Sequence, residues 1–498
     1  MTVHLVGAGP GDPGLLTLRG AEVLATAEVV VHDRLASSAL LDLAPPGAER
    51  ISVGKAPRGP STPQGEINRL LVEYGRAGRR VVRLKGGDPF VFARGGEEAL
   101  ALTEAGVAFE VVPGITSAIA APAYAGIPVT MRNVATSFTV VTGHGDPWAD
   151  TDTDWAAVAG LAVSGGTVVV LMGVATRSEI ADRLTAGGLD PTTPVAAVRW
   201  GTRPEQRTVR TTLAGLGRAE VASPSVIVIG AVAGVDLAWF ESRPLFGRTV
   251  VVTRAREQAS TLVERLQALG ADTIELPTIE VVAPSDDGVA LARAAAGVAG
   301  ADWVVFTSVN AVGRFMALLR DSRAFGRTKV AAVGPGTAAA LAGWHVQPDL
   351  VPERAIAEAL AEAFPAGTGR VLLPQAAGAR PVLADGLAAR GWDVEVIEAY
   401  RTVSATPAPD ALAHAMAADA VTFTSASTVR GYLDVVGEGA VPDVVVSIGP
   451  VTSAAVRQAG LPVPVEADPH TVEGVVEAVL RALGTVHAPS GPAPGVSD

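Results

Sequence analysis

Short apolar strands alternate with alanine- and leucine-rich segments along the whole chain, and this alternation is the strongest constraint on the fold. Apolar runs of this kind include VVV at 29–31, TVVVL at 167–171, SVIVI at 225–229 and WVVF at 303–306. Strands that are apolar at every position need cover on both faces, and helices between successive strands provide it. The sequence therefore predicts an α/β protein built on parallel sheets.

Length, charge and cysteine content exclude several classes of protein. The 498 residues exceed the usual size of one domain, so we expect several hydrophobic cores. A formal charge of −12 argues against general nucleic-acid binding, and the absence of cysteine excludes disulfides and thiolate metal sites. Proline and glycine interrupt the apolar stretches well before the ~20 residues of a membrane span. The stretch MTVHLVGAG shows no basic region or cleavage signal, so we expect no secretory leader. We therefore expect a cytoplasmic protein without a metal, a nucleic-acid partner or a membrane segment.

The stretch HLVGAGPGDPG at 4–14 resembles a dinucleotide-binding turn but departs from it. Gly7 and Gly9 fit the glycine pattern, whereas the sixth position of the motif is Asp12. A carboxylate at that position repels phosphate, and the two prolines of the stretch have no amide hydrogen to donate. This turn is therefore not predicted to bind a pyrophosphate.

Three features nearby have more than one interpretation. Asp33 ends the second predicted strand, where an acid can anchor a ribose, act in catalysis or cap the next helix. Lys55 is one of only three lysines in the chain and lies in a glycine- and proline-rich loop, either as a functional cation or as a surface charge. KGGDP at 85–89 offers amides and a carboxylate to a polar ligand, but it is also a common turn sequence.

The second half of the chain contains an internal repeat. DWVVFTSVNAV from 302 matches DAVTFTSASTV from 419, and VAAVGPGTAAAL from 330 matches VVSIGPVTSAAV from 445. A looser match pairs the segment that starts at 250 with the segment that starts at 371. The repeat predicts two similar lobes with a cleft between them, unless the matches are ordinary turns between strand and helix.

Loop-forming stretches between predicted strands set the expected domain boundaries, since composition changes little along the chain. GVDLAWFESRPLFGR at 234–248 separates two predicted strands, which indicates a linker at 241–247. The proline-, glycine- and serine-rich end at 486–498 is expected to be disordered. We therefore expect domains at 1–240 and 248–485.

Four stretches together resemble the tetrapyrrole methylase family, and within it the uroporphyrinogen-III C-methyltransferases. They are VGAGPGDPGLLT at 6–17, VVVHDRL at 29–35, RLKGGDPFVFARGGEE at 83–98 and PGIT at 113–116. Their order and spacing match the family from Val3 to about Trp239. The resemblance implies two α/β lobes, at about 1–113 and 114–240, that bind S-adenosyl-L-methionine between them, usually in a homodimer.

The same resemblance assigns roles to individual residues. It implies that Asp33 is the proton acceptor and Lys55 the proton donor, a role that arginine cannot fill because it stays protonated. The residues implied to line the cofactor are Pro10, Gly86, Gly87, Asp88, Val91, Thr116, Ser117, Met172 and Gly201. The implied tetrapyrrole substrate is rich in carboxylates, so its candidate partners, each equally a surface charge, are Arg34, Arg83, Arg94 and Arg132.

From Leu245 to about Leu483 the chain resembles the uroporphyrinogen-III synthases. The shared elements are TRAREQA at 253–259, FTSVNA at 306–311, YRT at 400–402 and GPVT at 449–452. The resemblance implies a fold of two lobes with parallel sheets, one at about 246–282 plus 402–485 and the other at 283–401. It also implies a reaction that needs no cofactor, the closure of a linear hydroxymethylbilane with inversion of its last ring.

That closure needs a group that helps a hydroxyl to leave and donors for the carboxylates of the substrate. Tyr400, at the crossover between the lobes, is the candidate for the first role, although a buried structural tyrosine fits equally well. The candidates for holding carboxylates are Arg254, Thr307, Ser308, Ser425 and Thr452.

The sequence therefore predicts a bifunctional enzyme of tetrapyrrole biosynthesis. The C-terminal half is expected to form uroporphyrinogen III, and the N-terminal half to methylate it at C2 and C7 to precorrin-2, towards sirohaem or cobalamin. Fusion of consecutive steps raises the local concentration of the intermediate. The alternatives are a methylase of a later corrin intermediate, or a C-terminal half that binds tetrapyrrole or organises a dimer without catalysis.

Overall fold

The computed structural model describes residues 2–33, 37–54, 62–144, 153–253, 256–405, 409–437 and 441–484. Four sequence predictions fall outside these ranges, namely those on Arg34, Lys55, Arg254 and the tail at 486–498.

The described residues divide into two compact units. The first unit comprises the chain up to Thr249 together with Leu266–Asp272, and the second comprises Val250–Arg265 and Thr273–Ala482. Every helix within the described ranges is too short or too polar to span a bilayer.

The first sheet of the first unit is entirely parallel, with strand order β3-β2-β4-β1-β5. Its strands are β1 Val3–Gly7, β2 Val29–His32, β3 Glu49–Ser52, β4 Val81–Lys85 and β5 Phe109–Val112. The helices that connect and follow them are α1 Leu18–Leu24, α2 Ser38–Leu41, α3 Gln64–Arg76, α4 Gly95–Glu104 and α5 Ser117–Tyr124. The adjacent residues Leu5 and Val6 belong to different hydrophobic clusters, so both faces are covered, as the apolar runs predict.

The second sheet has the order β6-β7-β10-β8-β9 and is mixed, which differs from the predicted parallel arrangement. Only β6 and β7 pair in parallel, and the other pairs are antiparallel. The reason is that β8 and β9 follow each other as a hairpin, without the crossover helix that a parallel pair needs. The elements here are β6 Phe138–Thr142, α6 Trp155–Val163, β7 Thr167–Leu171, α7 Arg177–Ala186, β8 Pro194–Arg199, β9 Arg207–Thr212 and β10 Ser225–Ile229.

Two further sheets follow, and they are largely parallel. The third has the order β12-β11-β18-β19-β20 and the fourth the order β13-β17-β16-β14-β15. In the fourth sheet, only β13 runs antiparallel to its neighbour, β17. The strands are β11 Thr249–Val252, β12 Asp272–Glu275, β13 Ile279–Val282, β14 Trp303–Phe306, β15 Lys329–Ala332, β16 Arg370–Ala376, β17 Asp393–Ser404, β18 Ala420–Phe423, β19 Val444–Ser447 and β20 Val465–Glu466. The prediction of an α/β fold is confirmed.

The helices of this part of the chain lie between those strands, except for the last, which follows β20. They are α8 Arg256–Ala268, α9 Val289–Ala296, α10 Val309–Met316, α11 Pro335–Gly343, α12 Ala357–Ala363, α13 Val382–Ala388, α14 Pro409–Ala415, α15 Ala426–Val436, α16 Pro450–Gln458 and α17 Val472–Leu483.

The sequence repeat corresponds to equivalent strands in these two sheets. The two FTS copies form β14 and β18. The two copies with a glycine–proline turn form β15, which lies beside β14, and β19, which lies beside β18. The looser match corresponds to β16 and β11, which are the next neighbours on the other side. The strand order is thus the same in both copies, and the repeat is a structural one.

Three glycines of the first unit bring their loops into direct backbone contact. A Cβ on Gly114 would lie 2.4 Å from the carbonyl oxygen of Gly87 and 2.6 Å from the Cα of Gly7. Gly9 and Gly87 both have positive φ, of 70° and 69°, and exchange hydrogen bonds of 3.2 and 2.8 Å between their amides and carbonyls. The loops after β1, β4 and β5 therefore meet where no side chain fits.

We predict that Gly114→Ala destabilises the first unit by about 1–3 kcal/mol, since the new methyl group forces backbone apart. The control is Gly160→Ala in α6, where a Cβ has no atom within 4 Å and where alanine is expected to stabilise the helix by up to about 1 kcal/mol. Thermal unfolding measures both. Equal unfolding temperatures for the two variants would contradict the prediction.

Candidate active site

A cavity of about 630 Å³ opens in the first unit at the carboxyl ends of the strands. This is the edge at which ligands bind in open α/β sheets, and the volume lies in the usual range for small-molecule sites. The loops after β1, β4 and β5 supply one part of the lining, and the loops after β7 and β8 supply another. The predicted cofactor residues that line it are Pro10, Gly86, Gly87, Val91, Thr116, Ser117, Met172 and Gly201.

Asp88 is the one predicted cofactor residue that is not part of this lining. Its carboxylate accepts hydrogen bonds from the amide of Gly114 at 3.0 Å and from the amide of Phe90 at 2.8 Å. Asp88 is therefore placed to fix the loop after β4 against the loop after β5, and it forms the cavity indirectly.

The lining suits a ligand that has both apolar and hydrogen-bonding parts, since it combines residues such as Val91 and Met172 with Thr116 and Ser117. A Cβ on Gly201 would lie 2.4 Å from the Cβ of Ala121, so the backbone there is open to the cavity only because the residue is glycine. Phe92, Met172 and Trp200 have positive φ angles of 51°, 56° and 50°. Such conformations are strained for these residue types and concentrate at functional sites. The residues present therefore fit S-adenosyl-L-methionine, the cofactor that the resemblance implies.

Asp33 lines the same cavity, with a third of its side chain exposed. One carboxylate oxygen accepts a 2.5 Å hydrogen bond from the guanidinium of Arg83, and the other accepts a 3.4 Å hydrogen bond from the amide of Gly86. The alternative role of a helix cap is wrong, because the residue that precedes α2 is Ser37. Asp33 is instead fixed at the wall of the cavity between a buried cation and a cofactor loop.

Arg83, predicted to meet a substrate carboxylate, does not reach the surface. Its side chain is 2% exposed, and its Nε donates a 3.0 Å hydrogen bond to Glu98. It is buried because β4 is a central strand with helices on both faces. The predicted role in substrate binding is therefore corrected to that of a buried partner of Asp33.

Glu98 links Arg83 to a second buried cation. Its Oε1 accepts hydrogen bonds from Arg83, from Lys85 at 2.9 Å and from Gln64 at 3.3 Å. Its Oε2 has no hydrogen-bond partner among the described residues. Burial lowers the pKa of Lys85, and the nearby charge of Arg83 acts in the same direction. Four charged groups thus run from the cavity wall into the core.

The other two described arginines of the predicted substrate set lie at the surface. Arg94 donates 2.8 Å hydrogen bonds to Glu97 and lines a shallow depression that shares Phe92 and Met172 with the cavity. Arg132 is exposed and does not line either hollow. The structure therefore brings Arg94, but not Arg132, next to the candidate site.

The predicted residues of the second unit fall into two sets. Thr307 and Ser308 follow β14, and Tyr400 lies in β17, so these three belong to the fourth sheet. The hydroxyl of Tyr400 donates a 3.0 Å hydrogen bond to the hydroxyl of Ser308, which caps α10. Ser425 follows β18 of the third sheet and caps α15, whereas Thr452 lies in the first turn of α16, follows β19 of the same sheet and is buried.

Comparison with known proteins follows the same division. A family model for tetrapyrrole (corrin/porphyrin) methylases matches residues 2–217, and a model for uroporphyrinogen-III synthase HemD matches residues 260–477. The porphyrin biosynthesis protein HemD of Ruminiclostridium josui is 37% identical over 97% of this chain and 98% of its own. The chain belongs to this family. It is a tetrapyrrole methylase joined to a uroporphyrinogen-III synthase.

Two further proteins resemble about half of this methylase–synthase. The S-adenosyl-L-methionine-dependent uroporphyrinogen III methyltransferase of Methanosarcina barkeri is 49% identical over 46% of this chain and 90% of its own. A crystal structure of uroporphyrin-III C-methyl transferase from Thermus thermophilus, complexed with S-adenyl homocysteine, is 42% identical. It covers 47% of this chain and 98% of its own, with a TM-score of 0.41.

Sequence reasoning missed two prominent residues of the methylase cavity, Trp200 and Arg203. Both line it, and the guanidinium of Arg203 lies 4.9 Å from the centre of the Trp200 ring. Burial lowers the pKa of Arg203. Their position directly after β8 was a usable signal, because ligand sites collect at strand ends. No sequence pattern indicates the positive φ of Trp200.

The predicted linker of this methylase–synthase is attached to the cavity walls. Glu241 accepts hydrogen bonds from Gln206 at 2.8 Å and Thr208 at 2.5 Å, and Gln206 accepts one from the amide of Thr202, beside Gly201. The hydroxyl of Thr202 in turn accepts a 3.0 Å hydrogen bond from the amide of Asp12, two residues after Pro10.

Tyr124 closes this ring of contacts. Its hydroxyl donates a 2.6 Å hydrogen bond to Asp12, and its ring packs on Trp239 and Phe240 at centroid distances of 5.0 and 4.8 Å. Burial strongly raises the pKa of Tyr124, and the hydrogen bond to Asp12 adds to this effect. The segment after the methylase match thus braces two walls of the cavity.

We predict that Tyr124→Phe lowers the stability of the first unit by about 1.5–3 kcal/mol, because a hydrogen bond to a carboxylate is lost. It should also weaken binding of S-adenosylhomocysteine, since the Pro10 loop loses its support. Thermal unfolding and calorimetric titration measure the two effects. Tyr74→Phe is the matched control, because Tyr74 makes an equivalent 2.7 Å bond to Glu49 at the surface. Equal affinity in the two variants would contradict the prediction.

Proposed function

We propose that this chain is a bifunctional enzyme that forms uroporphyrinogen III from hydroxymethylbilane and then methylates it at C2 and C7 to precorrin-2. The observation that carries the methyltransferase half is the cavity, where the residues implied to hold S-adenosyl-L-methionine converge beside Asp33. The synthase half is supported by the hydrogen bond between Tyr400 and Ser308.

In the methyltransferase half, the protein aligns two reactants and accepts a proton. S-adenosyl-L-methionine, when bound, supplies an electrophilic methyl group. The glycines at 86, 87 and 201 let the backbone approach it, and the strained Met172 presents a side chain that is 52% exposed at the cavity. Fixed placement of both reactants converts binding energy into rate.

Asp33 accepts the proton that leaves when a pyrrole carbon has been alkylated. Arg83 stabilises the ionised carboxylate, and the amide of Gly86 orients its second oxygen towards the cofactor loop. We assign the return of a proton to Lys55, because a lysine can release its proton whereas an arginine stays protonated. Arg94 beside the cavity is the candidate partner for a substrate carboxylate.

In the synthase half, Tyr400 assists departure of the hydroxyl group of hydroxymethylbilane. Its phenol is a weak acid that is oriented by Ser308, and both residues lie at the carboxyl end of the fourth sheet. Ser425, at the N-terminus of α15, donates to a carboxylate of the substrate.

We further propose that the methyltransferase domain spans 1–240 and the synthase domain 248–485, and that the enzyme is a cytoplasmic homodimer that serves sirohaem or cobalamin synthesis. The absence of cysteine supports an intracellular enzyme, because proteins of reducing compartments do not rely on disulfides.

One assay separates this proposal from its alternatives. Purified protein receives hydroxymethylbilane with and without S-adenosyl-L-methionine, and products are followed by absorbance and mass. The type-III isomer without donor and a twice-methylated product with donor are expected. Only the type-I isomer would identify a C-terminal half without catalysis, and failure to methylate uroporphyrinogen III would favour a later corrin substrate.

We predict that Asp33→Asn lowers methyl transfer at least about a hundredfold, because the proton acceptor is lost. Cyclisation of hydroxymethylbilane by the same preparation should be unchanged. Asp42→Asn is the matched control, since Asp42 is an exposed acid paired with Arg50 at 3.5 Å. Loss of cyclisation with intact methylation in Asp33→Asn would refute the assignment of the two activities to their halves.

We predict that Tyr400→Phe slows formation of the type-III isomer about a hundredfold and leaves methylation of added uroporphyrinogen III intact. Tyr432→Phe controls for the loss of a buried phenol, because Tyr432 is fully buried and its burial raises its pKa to about 12. The ratio of type-III to type-I product is the measurement. If both variants lower it equally, Tyr400 is a structural residue.

A further inference from the structure

Glu98 is a fully buried charged residue of the first unit, and its environment is unusual for a carboxylate. It is 0% exposed, and three donors converge on one of its oxygens while the other has no partner in the part of the chain described. A carboxylate buried in this way is destabilising on its own.

The cations around Glu98 do not make the cluster a stabilising feature. Arg83 and Lys85 are each buried as well, so the attraction among the charges is offset by the loss of their hydration. Buried ion clusters of this kind are often no more stable than apolar side chains of the same volume. What the cluster supplies instead is a fixed geometry around Arg83.

That geometry is imposed on Asp33. Arg83 bridges the two acids, with Nε on Glu98 at 3.0 Å and Nη2 on Asp33 at 2.5 Å, so its guanidinium cannot turn without breaking one bond. Lys85 holds the shared oxygen of Glu98 from the neighbouring position on the same strand face, at 2.9 Å. Displacement of Glu98 is therefore transmitted to the carboxylate at the cavity wall.

We infer that Glu98 and Lys85 are positioning residues for the methyl-transfer reaction, acting through Arg83 to orient Asp33 for proton acceptance. This inference rests on the proposed methyltransferase function. Neither residue lines the cavity, so their effect is on proton acceptance and not on binding of the methyl donor.

The charged groups near Asp33 have opposite signs, so removing one or the other should displace the pH dependence of methyl transfer in opposite directions. Arg83 and Lys85 approach from β4 and Glu98 from α4, whereas His32 of β2 contacts only the backbone carbonyl of Asp33, at 3.3 Å. Arg203 lines the same cavity. Removal of the anion at 98 favours an ionised Asp33, and removal of the cation at 85 disfavours it.

The experiment compares full-length wild type with Glu98→Gln, Lys85→Met and the double variant, with uroporphyrinogen III as substrate. The acid limb of the profile of kcat against pH should move to lower pH in Glu98→Gln and to higher pH in Lys85→Met. In the double variant the two displacements should cancel. We expect kcat to fall about tenfold in each single variant, with KM for S-adenosyl-L-methionine unchanged.

Glu98→Asp provides a second test that keeps the charge and shortens the reach. It should lower kcat and displace the acid limb less than Glu98→Gln does, since the charge at 98 is kept and the position of Arg83 changes. Glu110→Gln is the matched control, because Glu110 forms an ion pair with Arg19 at 2.9 Å on the surface. It should behave as wild type. Thermal unfolding and cyclisation of hydroxymethylbilane by each variant verify that the chain is folded.

Damage to packing alone would displace the acid limb of both single variants in one direction or not at all, and either result overturns the inference. A rise in KM for the methyl donor with unchanged kcat overturns it as well. A wild type that transfers no methyl group refutes the proposed function and this inference with it. An active wild type whose variants match Glu110→Gln refutes this inference alone.

Discussion

Direct contact between the backbones of Gly7, Gly87 and Gly114 determines the shape of the methylase unit. These residues end or follow three neighbouring strands, and a side chain on Gly7 or Gly114 would occupy the space of another loop, whereas Gly87 is constrained by its positive φ of 69°. The carboxylate of Asp88 fastens the same contact by accepting the amide hydrogen of Gly114. The cavity lies against these loops, so the glycines allow close packing between loops as well as access for a ligand.

This contact also explains why the opening glycine motif departs from the dinucleotide pattern. A phosphate-binding turn points amides at a pyrophosphate from the start of a helix. Here Gly9 uses its amide and carbonyl on Gly87, and Asp12 receives the hydroxyl of Tyr124 and an amide of its own turn. The polar groups of the motif are occupied by the protein itself, and the ligand meets the surface that they build.

The sequence predicted which segments form buried strands, but it did not predict whether neighbouring strands run parallel or antiparallel. Apolar runs located the strands, because a covered strand must be apolar on both faces. They did not reveal that β8 to β10 are antiparallel, since hydrophobic pattern is the same in either direction. Arg83 was misassigned for a related reason: an arginine in a strand is recognised as buried only when its partners, 15 and 50 residues away, are known. The backbone strain at Met172 and Trp200 also depends on tertiary contacts that no local pattern records.

The synthase half shows how one repeat yields unequal lobes. Ser308 and Ser425 are equivalent helix caps, yet only Ser308 receives a tyrosine hydroxyl. The difference arises in β17, which continues to Ser404 and pairs with β13, whereas the corresponding β12 ends at Glu275. An extension of one strand therefore places Tyr400 in one lobe alone.

The predicted linker between the two halves, at 241–247, is held by buried side chains and hydrogen bonds. Phe240 and Leu245 are 5% and 0% exposed, and Glu241 is bonded through Gln206 to the loop of Thr202. The methylase family match ends at residue 217, before Phe240, Glu241 and Leu245. A boundary drawn from family similarity would therefore separate the cavity from groups that brace it, and in the fused chain those same groups lead directly into the first strand of the synthase fold.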